Sequence, residues 1–293
     1  MTRIVVLGDV MVDVVARLAG PVAAGSDSEA SVSFGGGGSA ANVAAWLAYA
    51  GVERPALVAR IGRDARGAEA AEELRAGGVD ARLALDDGHP TGTCVVLVAP
   101  GGERSMLPDP GANAALAPSD LPDSLMERGG HLHVSGYSLV RTGPRPAAVA
   151  AIERARASGM TVSVDPSSAA LLAPDFPSLA DGATLLLPNV DEAVALTALP
   201  DARAAARSLA SRFPEVVVKL GAEGAFWTNG GEEEEAPAAP LPGHVVDTTG
   251  AGDAFAAGLL AARAGGAGPA EALTAACALA AQAVVTQGAR PPS

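Results

Sequence analysis

A short apolar run that ends in a glycine-containing turn carries the clearest chemical signal in the sequence. Residues 245–255 read VVDTTGAGDAF, a pattern that predicts a strand, a turn and then a helix that starts at the glycines. Small side chains let successive backbone N–H groups converge on one point, where the positive end of the helix dipole adds to them. These N–H groups belong to Gly250, Ala251, Gly252 and Asp253. We therefore predict an anion-binding hole for a phosphoryl group in transfer.

Asp253 would stand in the first turn of that helix. The field of the helix N-terminus keeps a carboxylate ionised, and a carboxylate that faces the anion hole can remove the proton of an attacking hydroxyl. Asp253 is accordingly the candidate general base. An ordinary glycine turn with an aspartate at a helix N-terminus explains the tetrapeptide GAGD equally well, so the wider sequence has to decide.

Two stretches together resemble the signatures of the pfkB, or ribokinase-like, family of carbohydrate kinases. Residues 247–253 (DTTGAGD) resemble its C-terminal signature, and residues 37–44 (GGSAANVA) resemble its N-terminal di-glycine signature. The resemblance extends over essentially the full chain. It implies that Asp253 is the base and that the turn before it forms the anion hole.

The di-glycine stretch also suggests how a sugar would be held. Gly37 and Gly38 let the backbone approach a sugar closely, and Asn42 offers both a donor and an acceptor to neighbouring hydroxyls. A flexible linker is the alternative interpretation. It is disfavoured because an apolar helix, residues 43–50, follows at once.

Three further side chains are candidate substrate contacts. Residues 8–13 (GDVMVD) resemble the family's first-strand motif, which implies that Asp13 anchors sugar hydroxyls; ribokinase itself has Asn where this chain has Met11, which argues against ribose. The resemblance also places Arg104 on a lid strand, where it would clamp the phosphoryl group or the substrate, or remain a solvated charge. Tyr137 follows a predicted strand and would stack on the substrate or be a buried aromatic.

A later motif is the first candidate for nucleotide binding. Residues 188–192 (PNVDE) resemble the family's Asn-x-x-Glu motif, which implies that Asn189 and Glu192 hold the water shell of Mg²⁺ and the phosphates of ATP. Asn189 and Glu192 also fit a helix capping box, and the two roles are compatible.

Residues 218–225 (VKLGAEGA) match the family's nucleotide-binding strand and turn, with Lys219, Gly221 and Gly224 as the implied contacts. Lys219 is the only lysine of the chain, so it is a candidate phosphate contact. The Leu after it excludes a Walker A loop, which requires Gly-Lys-Ser/Thr.

A monovalent cation is a further implication of the resemblance. Family members often bind one beside the anion hole through carboxylate and backbone oxygens, and Asp247 and Thr249 occupy the matching positions. Potassium activation is therefore expected.

The order of the elements predicts how these residues are brought together. β-type runs near residues 3–9, 56–61, 131–135, 161–165, 183–187 and 215–219 alternate with helical stretches. This alternation predicts an α/β fold, a doubly wound, mostly parallel sheet flanked by helices, with the ligands at its carboxyl edge.

Two stretches, residues 12–34 and 80–107, break this alternation with short alternating segments and turns. We expect them to form a small antiparallel β lid over the substrate site, while residues 1–11, 35–79 and 108–293 form the main kinase domain. The family resemblance further suggests a homodimer that pairs through the lid.

Composition limits the possible partners. A net charge of −13 argues against nucleic acid, because no cationic patch is available for phosphates. The first residues lack the apolar region of a secretion signal. The apolar segment 272–285 is too short to span a bilayer. Two cysteines are too few for a framework of disulfide bonds. A cytoplasmic location without membrane contact is expected.

We therefore predict an ATP-dependent kinase for a hydroxyl group of a small sugar or sugar acid. A nucleoside kinase of the same fold and a non-catalytic sugar or nucleotide sensor are the alternatives. A dinucleotide-binding dehydrogenase is excluded because residues 8–13 do not supply Gly-x-Gly-x-x-Gly after the first strand.

Overall fold

The computed structural model of the chain describes residues 2–292. Its strands, in chain order, are β1 (Ile4–Leu7), β2 (Met11–Leu18), β3 (Ala30–Gly37), β4 (Ala56–Gly62), β5 (Asp80–Asp86), β6 (Gly92–Val98), β7 (Arg104–Asp109), β8 (His131–Ser135), β9 (Thr161–Asp165), β10 (Leu185–Leu186), β11 (Glu215–Lys219), β12 (Ala225–Thr228) and β13 (Glu233–Ala236). Its helices are α1 (Ser39–Tyr49), α2 (Ala65–Ala76), α3 (Tyr137–Val140), α4 (Arg145–Ala157), α5 (Phe176–Leu179), α6 (Val190–Thr197), α7 (Ala202–Leu209), α8 (Ala251–Ala264) and α9 (Pro269–Ala283).

Nine strands form the large sheet, in the order β13-β12-β11-β10-β9-β8-β1-β4-β5. All neighbours from β11 to β5 are parallel, and β12 and β13 add an antiparallel hairpin at one edge. The predicted doubly wound, mostly parallel sheet is thereby confirmed. The run predicted near residues 183–187 contributes only the two-residue strand β10.

Helices cover both faces of the large sheet. Along β1, Ile4 and Val6 pack into a core with α1, α2, α8 and α9, whereas Val5 and Leu7 pack into a second core with α4 to α7. All four residues of β1 are buried, as expected for a central parallel strand whose side chains alternate between two covered faces.

A second, smaller sheet has the order β3-β2-β6-β7. Its outer pairs, β2 with β3 and β6 with β7, are antiparallel, and its central pair, β2 with β6, is parallel. The small sheet is formed mainly by the two stretches that broke the α/β alternation. Its strands reach slightly beyond the predicted bounds, at residues 11, 35–37 and 108–109.

Residues 80–86 are the exception, since they form β5 at the edge of the large sheet and not a strand of the small one. Helix α2 carries the chain back along the sheet, so that β5 pairs parallel with β4. The alternation of polar and apolar residues in β5 reflects its edge position.

Among residues 2–292, no helix is both long and apolar enough to cross a membrane.

Candidate active site

The turn before helix α8 has the geometry expected of an anion-binding hole. Gly250 is left-handed, with φ of 76°, and a Cβ at this position would lie 2.4 Å from the carbonyl oxygen of Ala289. Within residues 2–292, the amides of Gly250, Gly252 and Asp253 donate no hydrogen bond to the protein, and Ala251 donates a long one of 3.4 Å to Thr248. These amides are therefore available to an anion at the positive end of the helix.

Asp253, in the first turn of α8, faces helix α1. Its two carboxylate oxygens each accept a hydrogen bond of 2.8 Å, Oδ1 from the Ser39 hydroxyl and Oδ2 from the Asn42 amide. Burial raises the pKa of Asp253 to about 7; the neighbouring Asp165 carboxylate also raises it, while the bonds from Asn42 and Ser39 oppose the shift. A carboxyl group with a pKa near neutrality can exchange protons with a reacting hydroxyl.

Asp13 lies on β2, next to the di-glycine stretch. A Cβ at position 37 would lie 2.2 Å from Oδ1 of Asp13, so only glycine leaves room for this carboxylate. Burial raises the pKa of Asp13 to about 6, against the opposing effect of the Arg290 guanidinium. Arg290 is 8% exposed and donates from Nη2 to the carbonyl oxygen of Gly37 at 3.0 Å. This hydrogen bond thereby holds the backbone of the di-glycine stretch in place.

The loop around residues 288–290 joins three parts of the site. Besides Arg290, the carbonyl oxygen of Ala289 accepts a hydrogen bond of 2.9 Å from Trp46 Nε1 on α1 and lies against Gly250. The amide of Gly288 donates to Oδ2 of Asp247 at 3.3 Å. One short segment therefore contacts the turn before α8, helix α1 and β3, and fixes their positions relative to one another.

A buried ion pair lies at the carboxyl ends of β9 and β11. Lys219 Nζ is 2.5 Å from Oδ2 of Asp165. Burial alone would lower the pKa of Lys219, but Asp165 and Glu192 outweigh it and raise the pKa. Lys219 therefore stays positively charged beside the anion hole.

Asn189 and Glu192 begin helix α6 with a reciprocal capping box. Asn189 Oδ1 accepts from the amide of Glu192 at 2.9 Å, and Glu192 Oε2 accepts from the amide of Asn189 at 2.8 Å. Glu192 is only 2% exposed. Burial and then the nearby Asp165 raise its pKa to about 7.

Arg104 extends from β7 of the small sheet to the turn before α8. Its Nη1 lies 2.7 Å from Oδ1 of Asp247 and also contacts the Thr249 hydroxyl, while Nη2 donates to the Thr248 hydroxyl at 2.8 Å. Burial would raise the pKa of Asp247, but the Thr249 amide and hydroxyl, followed by Arg104, lower it. The carboxylate of Asp247 is therefore ionised and held by cationic and amide donors.

Two cavities meet at the anion hole. The first, of about 380 Å³, lies between the small sheet and the carboxyl edge of the large sheet, and is lined by Asp13, Asn42, Arg104, Tyr137 and Asp253 among others. The second, of about 360 Å³, is largely apolar and runs between α8, α9 and the turn at Gly221 and Gly224. Lys219 and Gly252 line both cavities. A chemical group that is transferred from one cavity to the other must therefore pass Lys219 and Gly252.

The pfkB family carbohydrate kinase profile matches residues 1–293. The chain belongs to the pfkB family of carbohydrate kinases. The family predicted from residues 37–44 and 247–253 is thereby confirmed, and so is the assignment of the chain as a kinase.

Relatives of this kinase act on different sugars. It is 36% identical over 272 residues, 89% of this chain and 84% of the relative, to an ATP-dependent ribose-1-phosphate kinase of Halopiger xanaduensis. It is 31% identical to a 2-dehydro-3-deoxygluconokinase of Thermoproteus tenax, over 98% and 90% of the two chains. A solved structure of adenosine kinase from Sinorhizobium meliloti superposes with a TM-score of 0.88 at 28% identity, covering 99% and 96% of the two chains.

Most of the site residues predicted from the sequence line one of the two cavities. In the kinase, the first cavity includes Asp13, Gly38, Asn42, Arg104, Tyr137, Asn189, Glu192, Lys219, Thr249, Gly250, Gly252 and Asp253. The second includes Lys219, Gly221, Gly224, Ala251 and Gly252. Gly37 and Asp247 line neither cavity: Gly37 packs against Asp13, and Asp247 is 9% exposed beneath Arg104. The predicted roles of all these site residues stay predictions.

Sequence reasoning missed several polar side chains at this kinase site, among them Ser39, Asp165 and Arg290. Ser39 directly follows the di-glycine stretch, and Asp165 ends a predicted strand just before a proline, so both had a local signal. Arg290 had none, because its contact with Gly37 joins residues 253 positions apart. Such a pairing depends on the complete fold.

Proposed function

We propose that this kinase transfers the γ-phosphoryl group of ATP to a hydroxyl group of a small sugar or sugar acid, with Asp253 as the general base. The observation that carries the proposal is the meeting of the two cavities at Gly252 and Lys219, beside Asp253. The P–O bond to ADP breaks, a P–O bond to the substrate oxygen forms, and the hydroxyl proton passes to the Asp253 carboxylate.

Substrate hydroxyls would be held by Asp13 and Asn42 in the first cavity, with Gly37 and Gly38 allowing close approach of the backbone. Tyr137 lines the same cavity, where it would stack on the substrate. The free amides of Gly250, Gly252 and Asp253 would accept the charge that spreads over the phosphoryl oxygens. The Lys219 ammonium would add a fixed positive charge at the same point.

ATP would place its adenine in the apolar second cavity, near Gly221 and Gly224. Asn189 and Glu192 stand where the family motif is expected and carry oxygen ligands suited to Mg²⁺. Burial, followed by Asp165, raises the pKa of Glu192 to about 7, so a bound cation would favour the ionised carboxylate. When bound, Mg²⁺ would neutralise the charge of the ATP phosphates. Among residues 2–292, no group of three or more His, Cys, Asp or Glu side chains forms a metal cluster.

Potassium activation is a finer part of the proposal, with Asp247 and Thr249 as ligands. Nη1 of Arg104 lies 2.7 Å from Oδ1 of the Asp247 carboxylate. A cation would therefore compete with Arg104 for Oδ1. ADP release measured in potassium chloride and in choline chloride at equal ionic strength tests this requirement.

The small sheet would act as a lid, since it carries Asp13 and Arg104 on one side of the first cavity. Val32, Phe34 and Leu107 of the small sheet are each more than half exposed, which favours a homodimer that pairs through the lid. Light scattering of the purified protein and of Phe34→Asp would show a dimer and a monomer, respectively. A monomeric wild-type protein would contradict the proposed homodimer.

A cytoplasmic location stays a prediction from the sequence.

The decisive experiment measures ADP release with Mg-ATP over a panel of neutral sugars, sugar acids, sugar phosphates and nucleosides. Asp253→Ala should lower kcat by roughly two to four orders of magnitude, the usual effect of losing a positioned base, with an unchanged circular dichroism spectrum. A near-normal kcat in this variant would overturn the base assignment.

The same panel separates the alternatives. Turnover of nucleosides alone would establish a nucleoside kinase, which the structural similarity to an adenosine kinase favours as the second candidate. Binding of ATP without turnover of any compound would favour a non-catalytic sensor. Selective turnover of sugars or sugar acids supports the function proposed.

A further inference from the structure

Arg141 is a cation of the first cavity that has no partner in the part of the chain that the structure describes. It directly follows helix α3 and lines the first cavity with Tyr137 and Ser138. Within residues 2–292, its guanidinium makes no hydrogen bond and no ion pair. The other two cations of the cavity are both engaged, Lys219 with Asp165 and Arg104 with Asp247.

Arg141 is not needed to complete the helix end beside it. The carbonyl oxygens of Leu139 and Val140 accept hydrogen bonds from Nε and Nη2 of Arg145, at 2.8 and 3.0 Å. Its backbone is fixed by bonds from its own amide to Tyr137 and from the Arg145 amide to its carbonyl oxygen. The guanidinium of Arg141 is therefore not used to hold this helix end and remains available to a ligand in the first cavity.

The charge of the cavity decides what Arg141 would bind. Its acidic lining residues are Asp9, Asp13, Asp165, Glu192 and Asp253. The chain has a net charge of −13, and the carboxylates of the lining repel an anionic sugar. An anionic substrate therefore needs a cation in the cavity that is not already paired with a carboxylate of the protein. Arg141 is the arginine of this cavity that remains free for an oxyanion, which a guanidinium can bind through two parallel hydrogen bonds.

We propose that the physiological substrate is an anionic sugar, and that Arg141 binds its carboxylate or phosphate while Asp13 and Asn42 bind its hydroxyls. The inference rests on the proposed kinase function and narrows its substrate class. Arg141 would then determine specificity. A neutral sugar would leave the guanidinium without a partner in the closed site, which lowers its binding relative to the anionic compound.

The test compares chemically matched neutral and anionic acceptors in the ADP-release assay. The pairs are ribose with its 1- and 5-phosphates, fructose with its 1- and 6-phosphates, glucose with gluconate, and a 2-keto-3-deoxy sugar acid as an additional acid. We expect at least one anionic compound to exceed its neutral partner in kcat/KM. The sugar-acid and sugar-phosphate arms identify which oxyanion is recognised.

The variant Arg141→Gln should raise KM for the anionic compound roughly 10- to 100-fold, the range for losing one charge-assisted contact, with a smaller change in kcat. For the neutral partner KM should not rise, and it should fall to the extent that the unpartnered guanidinium lowers its binding. Arg141→Lys should restore part of the phosphate binding but little of a bidentate carboxylate contact. The matched control is Arg128→Gln, which removes an exposed arginine outside both cavities.

Equal kcat/KM for neutral and anionic partners overturns the inference, as does an Arg141→Gln variant that affects both alike. Phosphorylation of neutral sugars alone would reject the anionic substrate and leave the kinase function standing. Absence of phosphorylation with every compound would instead reject the proposed function, and the inference with it.

Discussion

Nη1 of Arg104 lies 2.7 Å from Oδ1 of Asp247, and this ion pair joins the small sheet to the turn that forms the anion hole. The ion pair lies beside the first cavity, whose lining includes Arg104 and Thr249. The position of the small sheet is thus coupled directly to the turn before α8.

Arg104→Gln should loosen this coupling. We expect kcat/KM for the sugar to fall roughly 10- to 100-fold, the range for losing a charge-assisted contact. The ratio of ATP hydrolysis to sugar phosphorylation should rise, because a less firmly closed site admits water. The rates of ATP hydrolysis and of sugar phosphorylation are obtained by measuring ADP and phosphorylated sugar in parallel assays.

Arg17→Gln is the matched control, since Arg17 lies on β2 of the same small sheet but lines neither cavity. If Arg17→Gln and Arg104→Gln uncouple hydrolysis equally, the ion pair with Asp247 has no special part in closure.

The rate should depend on pH through Asp253. A base must be deprotonated, and burial raises the pKa of Asp253 to about 7. We therefore expect kcat/KM to rise with pH, with a slope near one on logarithmic axes below about pH 7, and to level off above it. A profile that is flat from about pH 5.5 to about pH 8 would contradict a base with this pKa.

The hydrogen bonds from Ser39 and Asn42 lower the pKa of Asp253. Ser39→Ala should therefore move the bend of the pH profile to higher pH, in addition to any loss of rate. Thr286→Ala is a suitable control because the Thr286 hydroxyl bonds only the Gln282 carbonyl oxygen. A shift toward lower pH in Ser39→Ala would show that the bond does not stabilise the charged base.

Gly250→Ala should damage the anion hole. A Cβ there meets the carbonyl oxygen of Ala289 at 2.4 Å, and φ of 76° already disfavours any other residue. We expect kcat to fall at least about 100-fold, the loss typical for one displaced oxyanion donor, together with a lower melting temperature.

Gly266→Ala separates the two causes of damage. Gly266 has φ of 89°, but the position that a Cβ would take there is open, with no neighbouring atom within 4 Å. This variant therefore carries only the backbone cost. A comparable loss of kcat in Gly266→Ala would attribute the effect of Gly250→Ala to stability and not to the amides.

Asp253→Ala should also stabilise the fold at alkaline pH. The folded pKa of Asp253, about 7, is above its ordinary value of 3.8, so the folded chain binds more protons than the unfolded chain between these values. The contribution of Asp253 to stability is therefore lost as the pH rises from about 4 to 7. The variant should melt higher than wild type at about pH 8, on the order of a few degrees, and this gain should shrink at about pH 4. An equal difference at both pH values would contradict the linkage.

Local sequence was sufficient for the parts of the site whose members are neighbours in the chain. The turn at Gly250, the position of Asp253 in the first turn of α8 and the capping pair Asn189 and Glu192 all follow from spacing within one helical turn. The role of Asp253 as the base came from the family resemblance and stays a prediction. The alternation of strands and helices likewise predicted the large sheet. Residues 80–86 were assigned wrongly because an edge strand and a lid strand share the same alternating pattern.

Contacts between distant segments were beyond such reasoning. Lys219 was identified as a phosphate candidate, but its ion pair with Asp165 joins residues 54 positions apart. Arg104 was placed on the lid, yet nothing in its local sequence showed that it meets Asp247. The unengaged state of Arg141 depends on Arg145 satisfying the carbonyls nearby, which only the folded structure reveals.

The segment at residues 288–290 has a consequence for the order in which the molecule becomes active. Ala289 and Arg290 contact Trp46 and Gly37, which precede them by 243 and 253 residues. A ribosome has therefore synthesised every strand of both sheets before these contacts can form. The nascent chain can bury most of its core while the substrate site is still unassembled, so an incomplete polypeptide would be folded in large part yet unable to consume ATP.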